Sequence, residues 1–278
     1  DTLEQQAPPA LHAITYPDLQ LSVDVKELHY ADNHLYGMDG QMRSSSSGVF
    51  YLDRFNVQAE TGGTIMLDGQ LNVSDSSAYL LSANFNLDSV NLSDFNLRMS
   101  LNDSIYSLSQ NFEGILDASG LAEFFMNPDM TIDLENSTAM FKVSLEEGRV
   151  KNFAPLHAMA RYTGNKDLDD VRFGELHNNF TLIDKKIVIP LMNISSTLGQ
   201  ILIEGEQGLE GDFLYLVRVP VWLVKGTAWN VISNKQRRET DEGGEIREMK
   251  AGKFMLFTVN GEGEEVEVKI GDDRDKFR

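Results

Sequence analysis

Apolar and polar residues alternate singly along much of the chain. Leu19, Leu21, Val23 and Val25 are separated by Gln20, Ser22 and Asp24, and Leu81, Ala83, Phe85 and Leu87 by Ser82, Asn84 and Asn86. A period of two sends successive side chains to opposite faces of a strand, so each segment predicts a β-strand with one apolar and one wet face. The rhythm returns at Met130, Ile132 and Leu134; at Phe141, Val143 and Leu145; at Ile187, Ile189 and Leu191; at Ile201 and Ile203; and at Val266, Val268 and Ile270. Asn, Asp, Ser and Gly punctuate these runs about every ten residues, the spacing of antiparallel meanders and not of βαβ units. The expected fold is mostly β: a curved antiparallel sheet of repeated β-modules, a groove or solenoid, with one or two short helices.

One phrase occurs twice. Phe55-Asn56-Val57 leads through a polar stretch to Gly63-Thr64-Ile65-Met66-Leu67-Asp68-Gly69, and Met192-Asn193-Ile194 leads to Gly199-Gln200-Ile201-Leu202-Ile203-Glu204-Gly205. Each copy reads as two strands joined by a turn. The first Gly suits a turn that needs positive φ, and the second suits a strand end or bulge.

Helical signals are few. Between Lys151 and Tyr162 the residues Phe153, Leu156, Met159 and Ala160 share a stripe, with Gly164 as the stop. Ser93 to Leu108 is a weaker candidate, in which Phe95, Met99 and Leu108 share a face. The stretch 234–253 is dense in Lys, Arg and Glu and reads as a charged loop. Beyond it, strands from Lys253 to Val259 and from Glu264 to Ile270 are expected to join at Asn260-Gly261, with a fraying tail from Gly271. The predicted organisation is a first β-module over 1–110, a second over 111–233 with a helix near 151–163, the loop, and a terminal hairpin and tail over 254–278, the modules forming one continuous sheet.

With 278 residues and 41% apolar content, the chain has material for a substantial core. A net charge of −19, from 43 acids against 24 bases, argues against nucleic acid as a partner and against a polybasic contact with anionic lipid. Cysteine is absent, which removes disulfides, thiolate metal sites and cysteine nucleophiles. The longest apolar run, Phe213 to Val224, contains Arg218 and Pro220 and is too short for a bilayer-spanning helix. The start at Asp1, without an apolar leader, fits an excised part of a longer, anchored protein.

No catalytic constellation emerges. His12, His29, His34, His157 and His177 include no i, i+4 pair, and nucleophile-elbow, P-loop and dinucleotide signatures are missing. Asp167, Asp169 and Asp170, and likewise Asp272, Asp273 and Asp275, lack the spacing of a calcium loop. No catalytic residue, metal ligand or cofactor is therefore assigned. What remains is the apolar sheet face. It closes against another face in a sandwich, or it lines a trough; period two reads the same in both.

The order of the segments resembles a family. Phe141-Lys142-Val143-Ser144-Leu145 with Gly148-Arg149-Val150, then Phe153-Ala154-Pro155-Leu156, Leu168 with Val171-Arg172-Phe173, Ile187-Val188-Ile189-Pro190, Ile194-Ser195-Ser196-Thr197 and Ile203-Glu204-Gly205 are similar to the carboxy-terminal region of the AsmA-like proteins of Gram-negative envelopes. Gly62-Gly63-Thr64 to Gly69 resembles the preceding modules, so the likeness spans roughly residues 20 to 225. It implies a periplasmic, elongated β-structure tethered to the inner membrane, related to bridge-like lipid-transfer proteins and serving phospholipid movement toward, or upkeep of, the outer membrane. On that basis the expected function is non-enzymatic shielding of acyl chains, with phospholipid or another acyl lipid as partner and other envelope proteins as possible partners. Leu81, Phe85, Ile132, Val143, Ile189 and Ile203 are the candidate groove lining. The alternative is a closed β scaffold that assists outer-membrane protein assembly through its edge strands.

Overall fold

The computed structural model describes residues 10–30, 33–60, 62–92, 98–101, 104–107, 111–224, 254–263 and 265–271; the charged stretch 234–253 and the tail beyond Gly271 lie outside the described residues. The chain is mostly β, as its alternating pattern predicts. Its strands are β1 (Leu19–Tyr30), β2 (Asn33–Ser45), β3 (Val49–Ala59), β4 (Thr64–Asn72), β5 (Tyr79–Asn91), β6 (Arg98–Leu101), β7 (Ser104–Ser107), β8 (Phe112–Met126), β9 (Ile132–Lys151), β10 (Asp170–Ile183), β11 (Lys186–Ser196), β12 (Gly199–Gly208), β13 (Asp212–Pro220), β14 (Phe254–Glu262) and β15 (Glu265–Ile270). Thirteen of them form one open antiparallel sheet in chain order, with β5 pairing directly to β8; β6 and β7 pair with each other. Most of these neighbours are joined by turns too short for a parallel crossover and so pair antiparallel; the connections from β5 to β8, from β9 to β10 and from β13 to β14 are longer.

Two expectations are corrected. Within the helix expected over 93–108, the described residues Arg98–Leu101 and Ser104–Ser107 pair as antiparallel strands, because Ser and Asn compete with helical backbone bonds and favour extended or turn geometry; residues 93–97, 102–103 and 108 lie outside the described residues. The last hairpin does not turn at Asn260-Gly261: Asn260 pairs with Glu267, Gly261 with Val266 and Glu262 with Glu265, so the reversal is at Gly263, φ +58°. At Gly261 a Cβ would come within 2.1 Å of the Glu265 carbonyl oxygen. That glycine permits close strand approach within the ladder and makes no turn.

The repeated phrase is the same structure twice. Gly63 and Gly199 open β4 and β12 at φ +89° and +87°. A Cβ on Gly69 would meet the Ser82 carbonyl oxygen at 2.8 Å, and one on Gly205 the Leu214 carbonyl oxygen at 2.1 Å. In each copy the first glycine shapes the turn and the second lets the next strand come close.

The chain divides into two compact units. Unit 1 comprises Asp1–Leu97, Ile115–Ser144 and Asn178–Val188, and unit 2 comprises Arg98–Gly114, Leu145–His177 and Ile189–Arg278. Unit 2 has a filled core. The predicted helix is present as α1 (Ala154–Thr163), with Pro155 in its first turn and Gly164 at its end, φ 69°. Met159 and Ala160 of α1 join Leu168, Ile201, Phe213, Tyr215, Val217, Val219, Leu223, Met255, Phe257 and Val259 in one buried cluster. The buried Asn165 donates from Nδ2 to the Leu223 carbonyl oxygen at 3.1 Å and accepts from the Asp167 N–H at 3.2 Å, so its amide is satisfied.

Candidate functional site

In unit 1 the registers of β3, β4, β5 and β8 stack into four rows. Phe50 is opposite Leu71, Leu71 opposite Leu81 and Leu81 opposite Phe124; the next row runs Leu52, Gly69, Ala83, Ala122. The third row runs Phe55, Leu67, Phe85, Gly120 and the fourth Val57, Ile65, Leu87, Ala118. Directly opposed residues share a face, so these sixteen positions form one apolar surface. A bulge between Leu52 and Phe55, with Arg54 at φ 51°, inserts the extra residue that keeps both side chains on it.

The surface continues to the sheet edge, where Met42 faces both Leu52 and Leu21. Its large side chains, Leu52, Phe55, Leu67, Leu81, Phe85 and Phe124 among them, stay half-buried, and Leu19 and Leu21 are 46% and 41% exposed. Phe85 lies over Gly120, where an added Cβ would meet the ring at 2.8 Å and Phe141 Cβ at 2.6 Å; Phe141 in turn stacks on Phe180, centroids 5.4 Å apart. One end is capped by residues 11–16. His12 N–H donates to the Tyr79 hydroxyl at 3.4 Å, and Tyr16 meets Phe50 edge-on at 4.7 Å.

The other face of the same strands is mostly polar, though it also carries Leu121 and Phe125, 54% and 37% exposed. Tyr51, Gln70, Ser82 and Glu123 form one row, and Asp68, Asn84 and Leu121 another. Between them lies an open depression of about 580 Å³. Arg43 donates to Asp53 at 2.5 Å and sits 4.7 Å over the Tyr51 ring; its hydrogen bond holds the Asp53 carboxyl below the usual range.

In unit 2 a charged group links three strands. Arg149 forks onto both oxygens of Asp170, at 2.6 and 2.5 Å, and reaches Glu113 at 3.4 Å, while Lys151 bonds Glu113 directly. Hydrogen bonding from Lys151 lowers the Glu113 pKa, and that from Arg149 lowers the Asp170 pKa.

Of the lining residues expected from sequence, Leu81 and Phe85 fall on the apolar face two rows apart. Val143 is half-buried on β9, two residues beyond Phe141, and Ile132 is 42% exposed at the start of β9. Ile189 and Ile203 pack against the filled core of unit 2. Sequence reading missed Phe50, Phe55, Leu67 and Phe124, whose place depends on register. It also missed that His29 and His34 meet across the β1–β2 turn. Their separation of five residues about a hairpin was the available signal.

No family model matches the chain, and no curated protein or solved structure matches it either. No helix among the described residues is long and apolar enough to cross a membrane.

Proposed function

We propose that this chain is a non-enzymatic envelope protein whose unit 1 shields lipid acyl chains on its apolar sheet face, serving phospholipid transport toward the outer membrane or upkeep of that membrane. The carrying observation is the half-buried grid of four rows on β3, β4, β5 and β8. An acyl chain laid on such a face removes apolar surface from water on both partners. Each buried methylene contributes about 0.8 kcal/mol, so about fifteen of them favour binding by roughly 12 kcal/mol before ordering costs. The resemblance of segment order to the AsmA-like proteins supports the same reading, together with a periplasmic location and an inner-membrane tether outside this sequence.

A second role has its own observation. The apolar face of unit 2 is filled by α1 and its neighbours, which fits a closed scaffold for an envelope protein partner. In this account lipid shielding therefore belongs to unit 1. Protein purified without detergent and extracted with organic solvent is expected to release phospholipid in stoichiometric amount by mass spectrometry. Lipid-free protein that also fails to take up added phospholipid contradicts the proposal.

A further inference from the structure

The β1–β2 hairpin brings metal-ligating groups together that lie apart in sequence. Tyr30 pairs with Asn33 and His29 with His34, and Glu27 precedes His29 by two residues on β1. The period of two puts Glu27 and His29 on one face, and direct opposition puts His34 beside them. One ligand atom from each of the three lies within 4.8 Å of the others. The two imidazoles meet edge to face with centroids 4.2 Å apart, and Glu27 Oε1 is 3.0 Å from His29 Nε2. Glu60, directly after β3, brings Oε1 to 3.9 Å from His34 Nδ1.

We propose that Glu27, His29 and His34 form a binding site for a divalent transition metal of the zinc type, with Glu60 as the supporting carboxylate. The donor set decides the class of ion. Two imidazoles with carboxylates suit zinc, copper or nickel, whereas calcium and magnesium take oxygen ligands alone. Two carboxylates match the two charges of the cation, and a carboxylate bonded to a ligating imidazole fixes its tautomer and orientation. Zinc–nitrogen bonds of about 2.0–2.1 Å place tetrahedral ligands roughly 3.4 Å apart. The side chains close that distance by rotamer adjustment, which is open to them because His29, Glu27, His34 and Glu60 have 56%, 53%, 44% and 53% of their side-chain surface exposed. Three protein ligands leave a fourth position for Glu60 or water. β1 is the last strand at one edge of the sheet. A metal at this point ties the end of the edge strand to its neighbour.

The test is zinc titration of the chelator-treated full chain by calorimetry, beside His29→Ala, His34→Ala and the double variant, with His177→Ala as control because His177 also pairs with an exposed acid, Glu175, at 2.6 Å. One zinc per chain is expected. Affinity should fall by about tenfold or more in each single variant, vanish in the double variant, and persist in His177→Ala. Thermal melting with zinc should rise in the wild type and stay unchanged in the double variant, which distinguishes site loss from misfolding because the metal-free melting points should coincide. Zinc bound equally well by the double variant, or no uptake by the wild type at millimolar metal, overturns the proposal. Neither outcome bears on lipid binding, which rests on separate residues.

Discussion

Replacing Gly205 by alanine tests how the repeated β-phrase is built. A Cβ at this position would lie 2.1 Å from the Leu214 carbonyl oxygen and 2.9 Å from Tyr215 Cα, whereas at the equivalent Gly69 the nearest atom, the Ser82 carbonyl oxygen, is 2.8 Å away. Contacts under 3.0 Å force a shift, so the Leu214 carbonyl must retreat by about 0.9 Å and the Ser82 carbonyl by only about 0.2 Å. In the first case the displaced atoms are backbone of β13, which sends Tyr215, Val217 and Val219 into the buried cluster, and close-packed cores transmit such a shift. Overpacking costs typically 1–3 kcal/mol, and Gly205→Ala is placed near the top, at about 3 kcal/mol. Gly69→Ala faces a small shift offset by the 0.4–1 kcal/mol gained from a less flexible unfolded chain, leaving about zero. Urea unfolding followed by far-ultraviolet circular dichroism reads both variants, and the intrinsic fluorescence of the two tryptophans, Trp222 and Trp229, gives a second signal for Gly205→Ala, which shares unit 2 with Trp222. Equal midpoints for the two variants would refute the reasoning.

Phe257 is fully buried and touches Tyr162 of α1 edge-on at 6.0 Å, so Phe257→Ala is expected to destabilise unit 2 by about 3–5 kcal/mol in urea unfolding; a loss under about 1 kcal/mol would contradict the packing described. Asp170 has a folded pKa below its unfolded one because Arg149 donates to it, so its contribution is present above the unfolded value and fades as pH falls through the folded value. The wild-type midpoint should accordingly exceed that of Asp170→Asn at neutral pH, with the gap closing below about pH 4; a gap independent of pH would contradict this ion pair.

The strands of this chain were legible because period two is a direct consequence of strand geometry, and α1 was legible from its stripe and its Gly stop. The hairpin at Gly263 was not, because an Asn-Gly pair has turn propensity in isolation and only the register with β13 and β15 places Gly261 inside a ladder. The candidate face was half legible. Leu81 and Phe85 share a strand, so alternation alone puts them together. Phe55 joins them only through the bulge at Arg54, and a one-residue slip would turn it to the wet face. Ile189 and Ile203 carry the same alternation, yet α1 and β13 supply neighbours that fill their side of the sheet; period two does not encode what lies above a strand. The pairing of His29 with His34 likewise needs the turn geometry that sets which residues oppose.

The absence of cysteine makes the most direct test of the lipid-shielding face simple. Single cysteines at Leu81 and Phe85, on the apolar face, and at Ser82 and Asn86, on the polar face, are labelled with a polarity-sensitive fluorophore. The labelled proteins are then titrated with phospholipid carrying a quencher on its acyl chain. Quenching confined to positions 81 and 85 is the predicted result. Equal quenching on both faces, or none on either, would contradict the claim that unit 1 holds acyl chains on its apolar rows.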